Sequence, residues 1–430
     1  RKQAFHPGSY AISEKSLKIT AEDKIIFSVM IYPTLQCANS QSIIEFGQFC
    51  LNLNTEGKVV FVSDAGSVMS SNSVSLRRWQ RVEAQITKLG QISISLGSLD
   101  GSDTLKPTLK QLNREVDLSQ NASVVIAGKL NGDAIINCFN GKIEQPEIYV
   151  GSTSLASWDF SRNMSSMTVP GSGCPNLKLI NAPTRAVTGA LWDASEMNWQ
   201  HKPEHYASIA FHEDDIYDFN WEPDFSFVIP PNMPSGIYIM RISCGDDYDA
   251  MPFFVCPEKD KPQAKVCVLV STFTYVIYGN HARPDYDDTW LEKIADWDAY
   301  PHNPAQFQNY GLSTYNNHSD GSGVCHASHK RPLFNLRPGY LTFGQASCSG
   351  LRHFQADSHL ISWLHAKGIE YEIITDEELH TEGVSAIQSY QALLTGSHPE
   401  YHTNETLEAL TQYRDQGGAL HYLGGNGFYW

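Results

Sequence analysis

The chain has 430 residues, of which 41% are hydrophobic and 11% aromatic, so it is long enough for two to four domains with sizeable cores. Its 47 Asp and Glu against 31 Lys and Arg leave a formal charge of −16, and no Lys/Arg run exceeds two residues. That balance argues against nucleic acid and anionic membranes as partners.

Nine cysteines at positions 37, 50, 138, 174, 244, 256, 267, 325 and 348 include no C-x-x-C pair, which suits buried thiols in a reducing compartment. No apolar stretch reaches bilayer length, and "RKQAFHPGSY" lacks an initiator Met and a signal-peptide core. The expectation is a soluble, cytoplasmic protein. The absent Met and the abrupt end at Trp430 suggest a piece of a longer product.

Residues 1–155 read as all-β. "KIIFSVMIYPTL", "GQFCLNLNTEGKVVFVSD", "RRWQRVEAQIT", "GQISISLGSL" and "ASVVIAGKL" are short Val-, Ile- and Phe-rich runs punctuated by Gly, Asn, Asp and Ser at sandwich spacing. "CFNGKIEQPEIYVG" adds an Asn-Gly turn and an extended segment, an order that resembles the concanavalin-like and laminin-G-like jelly rolls. Residues 156–258 read as a second, small β-sandwich, with strands in "PNLKLINAPTRAVTG", "HYASIAFHEDD", "DFSFVIPPNMPSGIYIMRIS" and "DAMPFFVCP" separated by Pro- and Gly-rich turns. "PEKDKPQ" from Pro257 is a polar, proline-flanked linker.

From residue 264 the rhythm changes. "AKVCVLVST" is a continuous apolar run, as in a strand buried on both faces. Leu360, Trp363 and Leu364 trace a helical stripe, Gly368 caps it, and "YEIIT" is the next strand. "QALLTG", a helix through Leu407, Leu410 and Tyr413 or Arg414, and "ALHYLGG" repeat the pattern. Strand–helix–strand repeats with right-handed crossovers predict a doubly wound parallel α/β domain over 264–430, incomplete at its C-terminus.

Ligands of open α/β sheets bind beyond the carboxyl ends of the strands. Three such ends carry tyrosines: "STFTYVIYGNHARPD" with Tyr275 and Tyr278, "SHPEYH" with Tyr401, and "GGNGFYW" with Tyr429. A hydrolase elbow of the G-x-C/S-x-G kind would place a nucleophile where "GGNGF" has Asn426, and an amide nitrogen is no nucleophile. Ser397 lacks the second flanking glycine. Two other clusters draw notice. Cys325, His326 and His329 in "VCHASHKRP" lack a partner pair for structural zinc. His212, Glu213, Asp214 and Asp215 lack a calcium loop, so hydrogen bonding between domains is their expected role.

"GSHPEYHT", "GGALHYLGGNGFYW", "STFTYVIYGNHARPD" and "FHEDDIYDFNWEPDFSF" together resemble the large (beta) subunit of N,N-dimethylformamidase and its relatives. The resemblance runs through essentially the whole chain. It implies a concanavalin-like sandwich, a second sandwich and an amidotransferase-like α/β domain. It also implies a mononuclear iron (Fe3+) held by two tyrosines and a glutamate, hydrolysing formamides to formate and an amine. Tyr401 and Tyr429 are the candidate metal ligands, with Tyr275 or Tyr278 able to replace one. The carboxylate ligand is expected beyond Trp430, with Glu400 a local alternative. His398 and Asn426 are the candidate catalytic residues, orienting water or donating to the oxyanion. A small companion subunit and further copies of the chain are the implied partners. The competing reading is a non-catalytic carbohydrate- or ligand-binding protein on a degenerate hydrolase scaffold.

Overall fold

A computed structural model of the chain describes residues 3–20, 23–99, 107–259, 261–262, 264–282, 287–342 and 347–428. Its contacts divide the chain into two units: Arg1–Phe219 with Asn317–Ser322, and Asn220–Asn316 with Gly323–Trp430. No helix among the described residues is long and apolar enough to cross a membrane.

Alternation builds the first unit. In Gln80–Thr87 the side chains of Val82, Ala84 and Ile86 are buried while Arg81 and Glu83 face water, because successive residues of a strand point to opposite faces. Two large antiparallel sheets result, beside two short two-stranded pairs. One runs Thr168–Val169, Leu177–Ile180, Tyr10–Ser13, Val124–Ile126, Gln41–Phe46, Phe49–Leu53, Lys58–Ser63 and Gly66–Ser73 in spatial order. The other runs Thr108–Gln111, Gln91–Ser98, Gln80–Thr87, Lys24–Pro33, Gly141–Val150, Thr153–Trp158 and Gly171–Ser172. Phe27 of the second sheet packs on Phe49 and Phe61 of the first, with ring centroids 5.9 and 5.5 Å apart, so the inner faces share one core.

A separate sandwich over residues 156–258 is not what the pairing draws. Leu177–Ile180 pairs with Tyr10–Ser13, and Ser208–Phe211 pairs with Gly141–Glu144. The reason is apolar burial: Leu177, Leu179, Ile209 and Phe211 complete the first core rather than founding another. The later strands of this stretch, Gly236–Cys244 and Asp247–Val255, form a two-stranded hairpin in the second unit. The division falls at Phe219, not at residue 155.

The second unit contains the strand–helix repeat. Its strands are β1 (Val266–Val270), β2 (Tyr371–Thr375), β3 (Ala392–Thr395) and β4 (Ala419–His421). They pair in parallel in the order β2-β1-β3-β4. The helices are α1 (Thr272–Ile277), α2 (Asp288–Asp296), α3 (Phe354–Ala366), α4 (Asp376–Glu382) and α5 (Asn404–Asp415). The apolar run in β1 faces both ways. Val268 and Val270 join Phe354 and Leu364 of α3 in one core, while Cys267 and Leu269 join Leu379 of α4 and Ala409, Leu410 and Tyr413 of α5 in another. Helices on both faces are what a parallel sheet requires.

Leu364 is buried in α3 as the stripe predicts, but Trp363 is 51% exposed, so the buried face turns toward Phe354 and Asp357. In α5 Tyr413, not Arg414, completes the buried face. A capping box between Thr403 and Thr406 starts α5, and Gly417 at φ 94° follows its end.

Candidate active site

The strand order reverses between β1 and β3, the position at whose carboxyl ends open α/β sheets take their ligands. The chain leaves β1 through α1 and β3 through Ser397–Thr403. Thr274 of α1 ties the two together: its Oγ1 accepts from the backbone N–H groups of Glu400 and Tyr401 at 3.2 and 3.3 Å. Glu400 is thereby turned inward and is only 2% exposed.

Three strand ends deliver donors to that carboxylate. Tyr278, after β1, donates from its hydroxyl to Glu400 Oε2 at 2.7 Å. His398, after β3, lies with Nε2 2.9 Å from the same oxygen. Asn426, after β4, donates from Nδ2 to Oε1 at 3.3 Å. Burial alone would push the Glu400 carboxyl up, but hydrogen bonds from Tyr278, Asn426 and His398 outweigh it and hold it below the ordinary range. Tyr278 shifts the other way: burial and the bond to Glu400 push its phenol up to about 12.

Around this centre the aromatic groups close up. The Tyr315 ring stacks on Tyr278 with centroids 4.2 Å apart and planes 11° apart, and the Tyr315 and Tyr401 hydroxyls lie 2.6 Å from each other. Burial pushes the Tyr315 phenol up as well. The Arg352 guanidinium sits 4.5 Å from the Tyr278 ring centroid, and the buried His353 ring packs 4.3 Å from it. Behind β3, buried Asp357 of α3 accepts from the Tyr275 hydroxyl and from the Ser397 backbone N–H. A Cβ on Gly396 would strike that carboxylate, so the turn out of β3 needs glycine there.

Of the residues named from the sequence, His398, Asn426 and Tyr401 come together, and Glu400 is the hub that joins the first two. Tyr278 belongs to the site; Tyr275 is diverted to Asp357. Tyr429 lies outside the described residues. Tyr315, Arg352, His353 and Asp357 escape sequence reasoning. Tyr315 sits in "GLSTYNNHSD", which has no periodicity, and Asp357 is one polar residue in an otherwise ordinary helix. The donors at hand fit a hard trivalent ion in kind, since phenols and carboxylates supply oxygen ligands. The Tyr315–Tyr401 spacing is one that two ligands of a single ion can share.

A second cluster lies wholly in the first unit. His212 and His318 stack with centroids 3.8 Å apart and planes 5° apart. His318 Nδ1 is 2.7 Å from Asp214 and Nε2 3.6 Å from Asp215, while His212 Nδ1 is 3.2 Å from Asp215. His212, Asp215 and His318 each bring a ligand atom within 4.8 Å of the others. The stack argues against a shared ion, however. Imidazole binds a metal in its own plane, and two parallel stacked planes hold no common point. The expected hydrogen bonding of His212, Asp214 and Asp215 is present, but its partners His318, Ser319 and Ser322 belong to the same unit. Cys325 and His329 are exposed, and they join no metal-like group of His, Cys, Asp or Glu among the described residues.

Comparison with known proteins points one way. Residues 184–430 match the family model "N,N-dimethylformamidase beta subunit-like, C-terminal". The chain is 35% identical to the N,N-dimethylformamidase beta subunit of Paracoccus aminophilus, over 68% of this chain and 42% of that one. It is also 35% identical to the same-named protein of an Alcaligenes species, over 70% of this chain and 41% of that one. The chain thus spans about two fifths of the length of these relatives. Among solved structures, a heptameric SAP-like pentraxin from Limulus polyphemus aligns at a TM-score of 0.27 and 12% identity, covering 34% of this chain and 71% of that one. By its match over more than half of its length, the chain belongs to the N,N-dimethylformamidase beta subunit-like family.

Proposed function

We propose that this chain carries the reaction centre of an iron-dependent amidohydrolase, acting on a small amide of the N,N-dimethylformamide kind to give formate and an amine. The observation that carries the reading is the convergence of Tyr278, His398 and Asn426, from three strand ends, on the buried carboxylate of Glu400. Family membership supports the substrate class. The parallel α/β sheet supports an amidotransferase-like scaffold, and the relatives' designation as beta subunits supports a companion subunit.

Tyr401 and Tyr429 would hold the iron, with Tyr315 the phenol bonded to Tyr401. Iron, when bound, supplies a Lewis acid that polarises the formyl carbonyl and acidifies water. The chain's own groups supply the rest. Ionised Glu400 fixes His398 with its Nε2–H pointing inward, which leaves Nδ1, beside the Gly425 backbone, as proton acceptor for the attacking water. The second Nδ2 hydrogen of Asn426 donates to the oxygen that gains charge. As the water oxygen bonds to the formyl carbon and the C–N bond breaks, the proton on His398 passes to the leaving amine.

The test is metal content and formate release from N,N-dimethylformamide, measured on the full-length protein with its companion subunit. Stoichiometric iron together with formate production that stops when iron is removed supports the reading. Folded, iron-replete protein that holds no iron and releases no formate overturns it and brings the ligand-binding reading forward.

A further inference from the structure

His353 is held at a cost on two counts. Its backbone sits at φ 53° and ψ −121°, a region that glycine adopts freely and residues with a Cβ do not. Its side chain is 2% exposed, yet Nε2 has no hydrogen-bond partner among the described residues. A residue that is both strained and unsatisfied marks a site where something else completes the bonding.

The surroundings say what that is. The His353 ring lies 4.3 Å from Tyr278 and 5.4 Å from His398, the two residues that share Glu400 Oε2. Tyr278 Oη and His398 Nε2 are thereby occupied. A formamide with two substituents on nitrogen has no N–H to give, and its carbonyl oxygen is its one strong acceptor. Any buried group that recognises it must donate.

We infer that His353 is a specificity-determining residue, presenting Nε2–H to the carbonyl oxygen of an N,N-disubstituted amide. This assignment rests on the proposed amide hydrolase. An N–H donor is what the carbonyl oxygen of such an amide can accept.

The experiment compares the wild type with His353→Phe, which keeps a ring and the Cβ but loses the donor, and with His353→Asn, which keeps the Cβ and restores an N–H. Binding of N,N-dimethylacetamide is followed by saturation-transfer NMR, KM and kcat are measured on N,N-dimethylformamide, and thermal unfolding and iron content are recorded for each protein. The inference expects His353→Phe to bind the probe and the substrate roughly ten-fold or more weakly, with unfolding temperature and iron unchanged, and His353→Asn to recover part of the loss. A purely structural histidine would lower the unfolding temperature instead. If the wild type hydrolyses dimethylformamide and folded His353→Phe matches it in KM, kcat and probe binding, the His353 assignment falls and the hydrolase reading stands. If the wild type neither binds nor hydrolyses any amide, both fall.

Discussion

The Tyr315 and Tyr401 hydroxyls lie 2.6 Å apart although 86 residues separate them in sequence. One of the two must give its proton to the pair, so Tyr315 fixes where the Tyr401 oxygen stands. Tyr401→Phe removes an oxygen fixed by the turn after β3, and the expected outcome is iron lost to background in purified full-length protein. Tyr315 is 41% exposed, so Tyr315→Phe costs stability only within about 1 kcal/mol and leaves most of the iron in place. Metal analysis beside thermal unfolding checks both. Equal iron in Tyr401→Phe and wild type would remove Tyr401 from the ligand set.

Glu400→Gln probes the hub. The carboxylate accepts at both oxygens, whereas an amide puts an NH2 group against Asn426 Nδ2 or against Tyr278 and His398. Donor then faces donor in a site only 2% exposed. The expected loss is about 2–4 kcal/mol in urea unfolding, with amide hydrolysis down by roughly 10²-fold or more. Tyr278→Phe withdraws one donor and leaves two, so it costs less than Glu400→Gln. The reverse order of costs would show that Tyr278 packing, not the carboxylate, holds the loops together.

The parallel sheet is legible in the sequence because β1 is five apolar residues flanked by parallel partners on both sides, a pattern alternation cannot mimic. Its loops inherit that legibility, which is why His398, Asn426 and Tyr401 can be picked out. Glu400 is harder to place. Adjacent to Tyr401, it looks like a solvated loop carboxylate until Thr274 is seen to turn it inward. Tyr315 and His353 come from the long stretch between α2 and α3, where no period marks a face and only tertiary contact brings the rings to Tyr278. The boundary near residue 155 misleads for a related reason. Strands that complete an existing sandwich and strands that found a new one share the same alternation, and only pairing partners such as Tyr10–Ser13 with Leu177–Ile180 tell them apart.

Glu144 gives the first unit a pH dependence. It is fully buried on the Gly141–Val150 strand, with Oε2 accepting from the Ala190 backbone N–H and Oε1 without a partner among the described residues. Burial pushes its carboxyl up to about 7, against the opposing bond from Ala190. A raised acid binds its proton more tightly in the folded chain. Its stabilisation is therefore complete below the unfolded value of about 4.3 and is lost as pH rises through about 7, a decline on the order of 3 kcal/mol. Glu144→Gln keeps the acceptor for Ala190 and cannot ionise. Urea unfolding at pH 5 and pH 8 should show the variant more stable than wild type at pH 8, with the gap shrinking at pH 5. Parallel behaviour of the two proteins would mean that the carboxylate stays solvated.

The His318–Asp214 pair predicts a second decline with pH, separable from the first. Burial alone would lower the His318 pKa, but the 2.7 Å bond to Asp214 and the charges of Asp215 and Asp320 outweigh it and raise it. The pair's contribution is accordingly present in full below the unfolded histidine value of about 6.5 and disappears as pH rises through the raised folded value. His318 is buried in a segment, Asn317–Ser322, that belongs to the sandwich unit while its neighbours in sequence do not, so this bond, with the stack on His212, anchors an isolated stretch of chain. A double-mutant cycle of Asp214→Asn and His318→Gln should give a coupling of about 1–3 kcal/mol at pH 5.5, shrinking toward alkaline pH. Asp214 is partly exposed, which favours the lower end of that range. Coupling that holds constant with pH would mean that the imidazole stays neutral throughout and that the stack on His212 alone fixes the segment.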